Sequence, residues 1–449
     1  MHSFDVFLIC TDDQGNLINE GDITAGQDMT ITTRGHLDNQ GRILAGRHLE
    51  SQSTSLYSHQ GSTLAAGMDN ALRLTQHGNL TLKTTEEARL HGQNLAHDRL
   101  SVNAKDLSLA GSQTEAGDLT LTSDTQLHLQ DAHVSARQHL TLSAPERIDN
   151  TRGRLRAETL TLRSQKLNNH QGKITQTGPP SLILEHPAGI DNTAGIIESR
   201  GQDLTLKAQR ITNDNGRLIH AGTGVMALDT AHFQGKAGRL ISDGELKLDG
   251  GDYHLVKSET SAQHITAHIQ SLDHRLGKMT QRGAGAMTLA VQHELDNGSG
   301  IISANGTVKV NAETLNNHTL TEEQQNNHQE NPQKQRLDNG ELNHQSGQII
   351  AAEDGQLQVT VKNRLNNQQG QLVASAGMTV VADEMDNRQG QITASNGDIT
   401  LTTGQLTNTE GKIAGQHNLQ LTAQAINNES GQIRAGTTAE RCVSGLSVR

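Results

Sequence analysis

Leu365-Asn366-Asn367-Gln368-Gln369-Gly370-Gln371-Leu372-Val373-Ala374-Ser375-Ala376-Gly377-Met378-Thr379-Val380 is one period of the repeat that decides the fold. Its pattern is aliphatic, any residue, Asn, any two residues, Gly, any residue, aliphatic. The same pattern is complete in Ile148-Asp149-Asn150-Thr151-Arg152-Gly153-Arg154-Leu155 and one residue shorter in Leu37-Asp38-Asn39-Gln40-Gly41-Arg42-Ile43. It returns with Asn169 and Gly172, Asn192 and Gly195, Asn213 and Gly216, Asn297 and Gly300, Asn387 and Gly390, Asn408 and Gly411, and Asn428 and Gly431. Weaker copies place His274 before Gly277 and His344 before Gly347. Gly153, Gly172, Gly195 and Gly216 lie 19, 23 and 21 residues apart; Gly370, Gly390, Gly411 and Gly431 lie 20, 21 and 20 apart. The wider gaps, Gly238 to Gly277 and Gly300 to Gly347, each fit two units, the second with an insertion. A Leu-Thr-Leu signal runs in phase, at Leu80, Leu119, Leu140, Leu160 and Leu204, with Leu100-Ser101-Val102 between. It carries the array through residues 61–147, where the Asn–Gly motif fades.

Each period predicts three short strands. One ends near the aliphatic residue before Asn, and one covers the aliphatic residue two after Gly, as in Gly390-Gln391-Ile392-Thr393-Ala394. The third is Asp398-Ile399-Thr400-Leu401-Thr402, whose alternation puts Ile399 and Leu401 on one face. Asn and Gly supply the left-handed backbone of the turns between them. Strands this short bury a face only when coils stack, which is the logic of a solenoid. A leucine-rich repeat of this length needs a helical or 3₁₀ back, and no segment keeps a 3.6-residue period. The prediction is an all-β fold, a right-handed parallel β-helix of roughly 20 coils at ~4.8 Å spacing, on the order of 100 Å long. Stacked asparagines at positions like Asn39 are expected to hydrogen-bond as a ladder.

Composition agrees with a narrow core. In 449 residues there are 45 Gly, 5 Pro, 2 Tyr, 3 Phe and no Trp, and hydrophobic residues make up 33%. A globular domain of this length draws on large aromatic side chains for its core. A coil of about 21 residues encloses only a few side chains, where Leu, Ile, Val and Ala fit and Trp does not. A net charge of −12 argues against a nucleic-acid partner. No apolar run approaches membrane-spanning length.

The chain divides into an N-terminal segment, 1–9, without a clear signal peptide; a repeat β-helix, 10–436; and a non-repeat tail, 437–449. Within the β-helix, residues 319–336 form a polar loop insertion. Cys10 and Cys442 lie near opposite ends, too far apart for an intramolecular disulfide.

No residues are assigned to catalysis, cofactor binding or metal binding, and no cofactor is expected. The 23 histidines raise the question of metal. In His264-Ile265-Thr266-Ala267-His268 the two imidazoles lie ~13 Å apart on a strand, too far to share an ion. His293-Glu294 lacks the second His of the helical zinc motif. The position after the first aliphatic residue stacks from coil to coil as Asp149, Asn168, Asp191, Thr212, then Asp273, Asp296, Asn316, and later Asn366, Asp386, Thr407, Asn427. Asp273 and Asp296 alone are acids stacked as direct neighbours, the pair that would split its pKa values or hold a cation. Polysaccharide-cleaving β-helices use such pairs together with aromatic platforms. Five scattered aromatics, Phe4, Phe7, Tyr57, Phe233 and Tyr253, offer few.

The repeat Leu/Ile-Asp/Asn-Asn-x-x-Gly-x-Ile/Leu, followed by Ala/Ser-x-Gly-x-Leu-Thr-Leu, resembles the haemagglutinin repeat of large bacterial exoproteins, from about Cys10 to Gly436. These are filamentous haemagglutinin adhesins and the stalks of contact-dependent growth-inhibition toxins. The resemblance implies a non-enzymatic shaft that is secreted to the bacterial surface through an outer-membrane two-partner secretion pore. It would present an adhesive tip to a receptor or glycan on a host or neighbouring cell. The family's N-terminal secretion domain and its Val-Glu-Asn-Asn junction are not visible, so the chain is expected to be a fragment of a larger exoprotein. The alternatives are the stalk of a contact-dependent toxin, a β-helical carbohydrate-active enzyme, or a non-functional remnant.

Overall fold

The structure, a computed structural model, describes residues 6–8, 12–69, 71, 73–321, 324, 346–436 and 438–440. Most of the segment 1–9, most of the expected loop 319–336, His344, most of the tail 437–449, and both cysteines lie outside the described residues. The chain forms two compact units, 1–225 and 226–449. Each is a parallel β-solenoid, with about 19 turns among the described residues of the two.

In the first unit each early coil has three strands, and each strand pairs in parallel with its counterpart in the next coil. Asn79–Thr84, Arg99–Ala104, Asp118–Ser123, His139–Ser143 and Thr159–Arg163 make one such stack. The Leu-Thr-Leu signal sets its register, with Leu80, Leu100, Leu119, Leu140 and Leu160 in line. These leucines are at most 4% exposed while Thr120 and Thr141 between them face outward. Alternation along the strand therefore becomes a column of leucine along the core, each methyl packed against the coil below.

Most coils of the second unit depart from the predicted three strands, although His264–Ile269 and Ser271–Asp273, and Met287–Val291 and Glu294–Asp296, stay separate. The third strand of one period and the first of the next fuse, as in Leu357–Asn366, Met378–Asp386, Ile399–Thr407 and Asn418–Asn427. Gln371–Ala374, Gln391–Ala394 and Lys412–Gly415 form the other wall. Where the strands stay separate the corner is a short turn, as at Pro145, which cannot donate to a ladder. In the fused strands the corner is irregular instead: Ala312 pairs with Val361 and Thr314 with Arg364, a bulge, while Asp383 and Gly404 are passed over together without a shift of register. The gap from Gly300 to Gly347 also differs from expectation. It is one coil, not two: Asn317 bonds directly to Asn367 of the next coil, so the insertion sits between Asn317 and Gly347.

The turns assign the left-handed backbone differently from the sequence reading. It falls on the residue before the motif glycine: Arg152, Gln171, Ala194, Asn215, Gln369, Gln389 and Glu410 have φ between 53° and 57°. The motif glycines themselves do not share it. A side chain in this region carries a strain of about 1–2 kcal/mol, larger than the entropy a glycine adds to the unfolded chain. Gln171 is exposed, and Gln171→Gly is expected to raise stability by about 0.5 kcal/mol in urea denaturation.

The aromatic residues of the second unit are not scattered. Phe233 and Tyr253 stack on adjacent coils with ring centroids 5.3 Å apart, both fully buried. Gly235 makes the room, since a Cβ there would lie 2.5 Å from the Phe233 ring. The Tyr253 hydroxyl lies 2.9 Å from the carbonyls of both Leu228 and Asp249, either of which can accept its proton. Burial holds the phenol well above its ordinary pKa.

Candidate functional site

The repeating asparagine forms a spine inside the turn corner. Asn150 Nδ2 donates to Asn169 Oδ1, Asn169 to Asn192, and Asn192 to Asn213, each at 2.7 Å. In the second unit the chain of donors runs from Asn297 through Asn317, Asn367, Asn387 and Asn408 to Asn428, at 2.6–2.8 Å. Apart from Asn317, each Nδ2 also reaches the carbonyl of its own motif glycine, as Asn192 does to Gly195 at 3.3 Å. From Asn150 to Asn408 these side chains are fully buried. A buried amide needs both donor and acceptor satisfied, and the spine does this along the axis beyond its first member, Asn150, whose Oδ1 has no partner among the described residues. The expected ladder is present.

The spine changes where the motif fades. Leu90, Leu109 and Leu129 occupy the same position, all fully buried, so an apolar column replaces the polar one. His274 stands at the start of the second run, its Nδ1 2.8 Å from Asn297 Oδ1. Burial pushes its imidazole pKa down, so the ring is neutral.

The acidic row is in the predicted register. Asp149, Asn168, Asp191 and Thr212 pair in sequence, as do Asp273, Asp296, Asn316, Asn366, Asp386, Thr407 and Asn427. Asp273 and Asp296 are direct neighbours, and Arg275 lies between them, 2.6 Å from Asp273 and 3.6 Å from Asp296. The guanidinium occupies the place a cation would take. Its hydrogen bonds help hold Asp273 below the ordinary carboxylate range, against the opposing effect of burial. Asp296 moves the other way, to about 6, mainly because it is buried and also because Asp273 faces it. A carboxyl raised from 3.8 to about 6 on folding stabilises fully below pH 4 and loses that contribution as pH rises through 6. Asp296→Asn keeps the acceptor for the Gly298 N–H and removes the charge. It is expected to add about 1–3 kcal/mol at pH 7 and almost nothing at pH 4, read from urea midpoints at the two pH values.

One feature of the wall had no counterpart in the sequence reading. The leucine stack ends at Thr159–Arg163, and the following strand, Leu182–Glu185, pairs onward with Leu204–Lys207 instead of back. Gln176 fills part of the break: its Oε1 accepts the Leu160 N–H at 3.0 Å and its Nε2 donates to the Pro180 carbonyl. A groove of about 680 Å³ remains, lined by Thr161, Arg163, Ser181, Ile183 and Glu185 among others. Gly178-Pro179-Pro180, which lengthens this turn, is the sequence signal for it.

Several of the described histidines are on the surface beside single acids. His264 and His268 point outward from one strand, and His268 faces Asp249 at 3.6 Å. His293 faces Glu313 at 3.5 Å. Tyr57, the remaining described aromatic on the outside, donates to Glu87 and lies beneath the Arg89 guanidinium. No helix of the described residues is long and apolar enough to cross a membrane.

Comparison with known proteins agrees with this geometry. The haemagglutinin repeat family matches residues 13–84, 75–152, 140–179, 188–251, 283–354 and 352–440. A Yersinia pestis protein named toxin CdiA is 26% identical over 307 residues, covering 57% of this chain and 9% of that protein. This chain thus corresponds to a small part of the relative's length. No solved structure matches significantly. The matched segments fall on the stacked coils and take in most of the chain, and on that ground the protein belongs to the haemagglutinin-repeat family of filamentous haemagglutinin and contact-dependent inhibition exoproteins.

Proposed function

We propose that this chain is a section of the shaft of a secreted haemagglutinin-like exoprotein, which holds an adhesive tip away from the bacterial surface. The observation that carries the reading is the repetition itself. Coil after coil spends its buried polar groups on the asparagine spine, which stiffens the stack without building a pocket of convergent chemistry. Secretion through a two-partner outer-membrane pore, and a receptor or glycan on another cell, belong to the same proposal. The likeness to toxin CdiA favours a second reading, in which the shaft carries a toxin for contact-dependent inhibition.

A shaft tolerates changes of length in whole coils. Deleting residues 371–390 from the parent exoprotein joins Gly370 to Gln391 and preserves the register. Surface display and cell attachment, or inhibition of a neighbour's growth, are expected to persist. Deleting residues 371–380 puts the strands out of phase and is expected to abolish display. Loss of attachment and of inhibition after the whole-coil deletion, with display intact, would place a binding or catalytic site in that coil and overturn the shaft reading. Which of the two activities disappears when residues 12–436 are removed separates adhesin from toxin stalk.

A further inference from the structure

One coil of the first unit is longer than its neighbours. Leu49 pairs with Leu80, 31 residues on, whereas Leu80 pairs with Leu100, 20 residues on. The extra chain makes an excursion closed by an antiparallel bridge between Met68 and Leu74. The Asp69 carboxylate organises it, accepting from the N–H groups of Ala71 and Arg73, the Arg73 guanidinium and the Thr75 hydroxyl. The excursion delivers His77 to a corner of the following coil, where His97 and Asp98 stand.

Three donor groups meet there. His77 Nδ1 is 3.0 and 3.1 Å from the two Asp98 oxygens, and His97 Nδ1 is 2.9 Å from Oδ1. The imidazoles lie edge to face, 5.2 Å apart at 80°, so both present nitrogen to the same carboxylate. One donor atom from each of the three residues can be chosen so that all lie within 4.8 Å of one another, the one such cluster among the described residues. The other histidine–acid contacts, such as His139 with Asp118, bring two groups together. The Gly78 N–H donates to Asp98 Oδ2 at 3.0 Å and fixes the carboxylate.

We propose that His77, His97 and Asp98 bind a divalent transition-metal ion of the zinc class, which clamps the excursion onto the next coil. Two imidazoles and one carboxylate form the nitrogen–oxygen donor set that suits zinc, and a set that is mostly nitrogen disfavours calcium and magnesium. Ligands about 2.0–2.2 Å from zinc in a tetrahedron stand roughly 3.2–3.6 Å from one another. The observed His–Asp separations of 2.9–3.1 Å need to open by only a few tenths of an ångström. Water completes the coordination, and the His77 side chain, 88% exposed, leaves the approach open. Arg137 is the nearby cation, and its guanidinium is occupied with the His97 backbone carbonyl, away from the donor nitrogen.

Isothermal titration of zinc chloride into the full chain tests the site. Binding of one equivalent is expected, stronger than the background from surface histidines, with a rise in thermal midpoint. His77→Ala and Asp98→Asn are each expected to weaken that binding at least about tenfold and to remove the rise in midpoint. His139→Ala, at a two-group contact, leaves both unchanged. His77 is exposed and makes no core contact, so His77→Ala alone suffices if Asp98→Asn perturbs the fold. Absence of the one-equivalent phase in the wild-type chain, or its survival at full affinity in His77→Ala, overturns the proposal.

Discussion

Gly172→Ala is expected to cost at least about 3 kcal/mol, a large loss for the addition of a single methyl group. A Cβ at Gly172 would stand 2.3 Å from the Asn150 carbonyl oxygen of the coil below and 2.5 Å from Asn169 Oδ1. The first of these is backbone, held in its own turn by the Gly153 N–H, so no rotamer change relieves it. The coil would have to rise at that corner, breaking the Asn150–Asn169 bond at 2.7 Å and the turn that the Asn169 carbonyl closes with the Gly172 N–H at 3.0 Å. In a stacked array the damage lies at one interface between neighbours, and the array is expected to unfold in two steps on either side of it. Urea denaturation followed by far-ultraviolet circular dichroism measures both effects. A midpoint within error of the parent would refute the close-approach account. The adjacent Gln171→Gly change carries the opposite sign, because there the strain belongs to the side chain's own backbone angle.

The second large effect lies one turn along the spine. Asn192 accepts from Asn169 and donates to Asn213, to the Gly195 carbonyl and to the Arg217 carbonyl, and it is fully buried. Asn192→Ala deletes these bonds and leaves the Asn169 amide and the Asn213 carbonyl oxygen without their axial partners, at an expected cost of about 2–4 kcal/mol. Asn192→Asp keeps the volume but cannot donate when ionised. Its carboxylate would face the Asn213 oxygen in a dry interior. It is therefore expected to be at least as damaging as alanine at pH 7 and less so at pH 4, where a protonated carboxyl again has a proton to offer. Burial raises the folded pKa of such a carboxyl, so its stability is expected to fall as pH rises. Equal stability of Asn192→Asp at the two pH values would show that the spine position is solvated.

Much of this was legible because a solenoid turns sequence period directly into spatial neighbourhood. Two positions one period apart are stacked. The spacing of Gly153, Gly172 and Gly195 therefore predicted which asparagines touch, and the acidic row fell in register down to the Asp273–Asp296 contact. Arg275 was one turn position away from that row, and only its side-chain direction places it between the two carboxylates. The His77 cluster was hidden for a related reason. His77 and His97 are one period apart, but His77 sits at the end of an excursion whose length alone does not reveal its landing point.

The period by itself determined the class of fold, the stacking register, the leucine columns and the asparagine spine, because each follows from translation by one coil. Tertiary structure decided what depends on distances across the coil. It showed that the motif glycine is required for the nearness of the neighbouring carbonyl, while the left-handed angle belongs to the residue before it. It also showed that two strands fuse across an irregular corner in the later coils, that the insertion lies within one coil, and that Phe233 and Tyr253 share a space opened by Gly235. Repetition fixes which residues are neighbours along the axis. How close they come, and which groups meet around the corner, is settled by packing between whole coils.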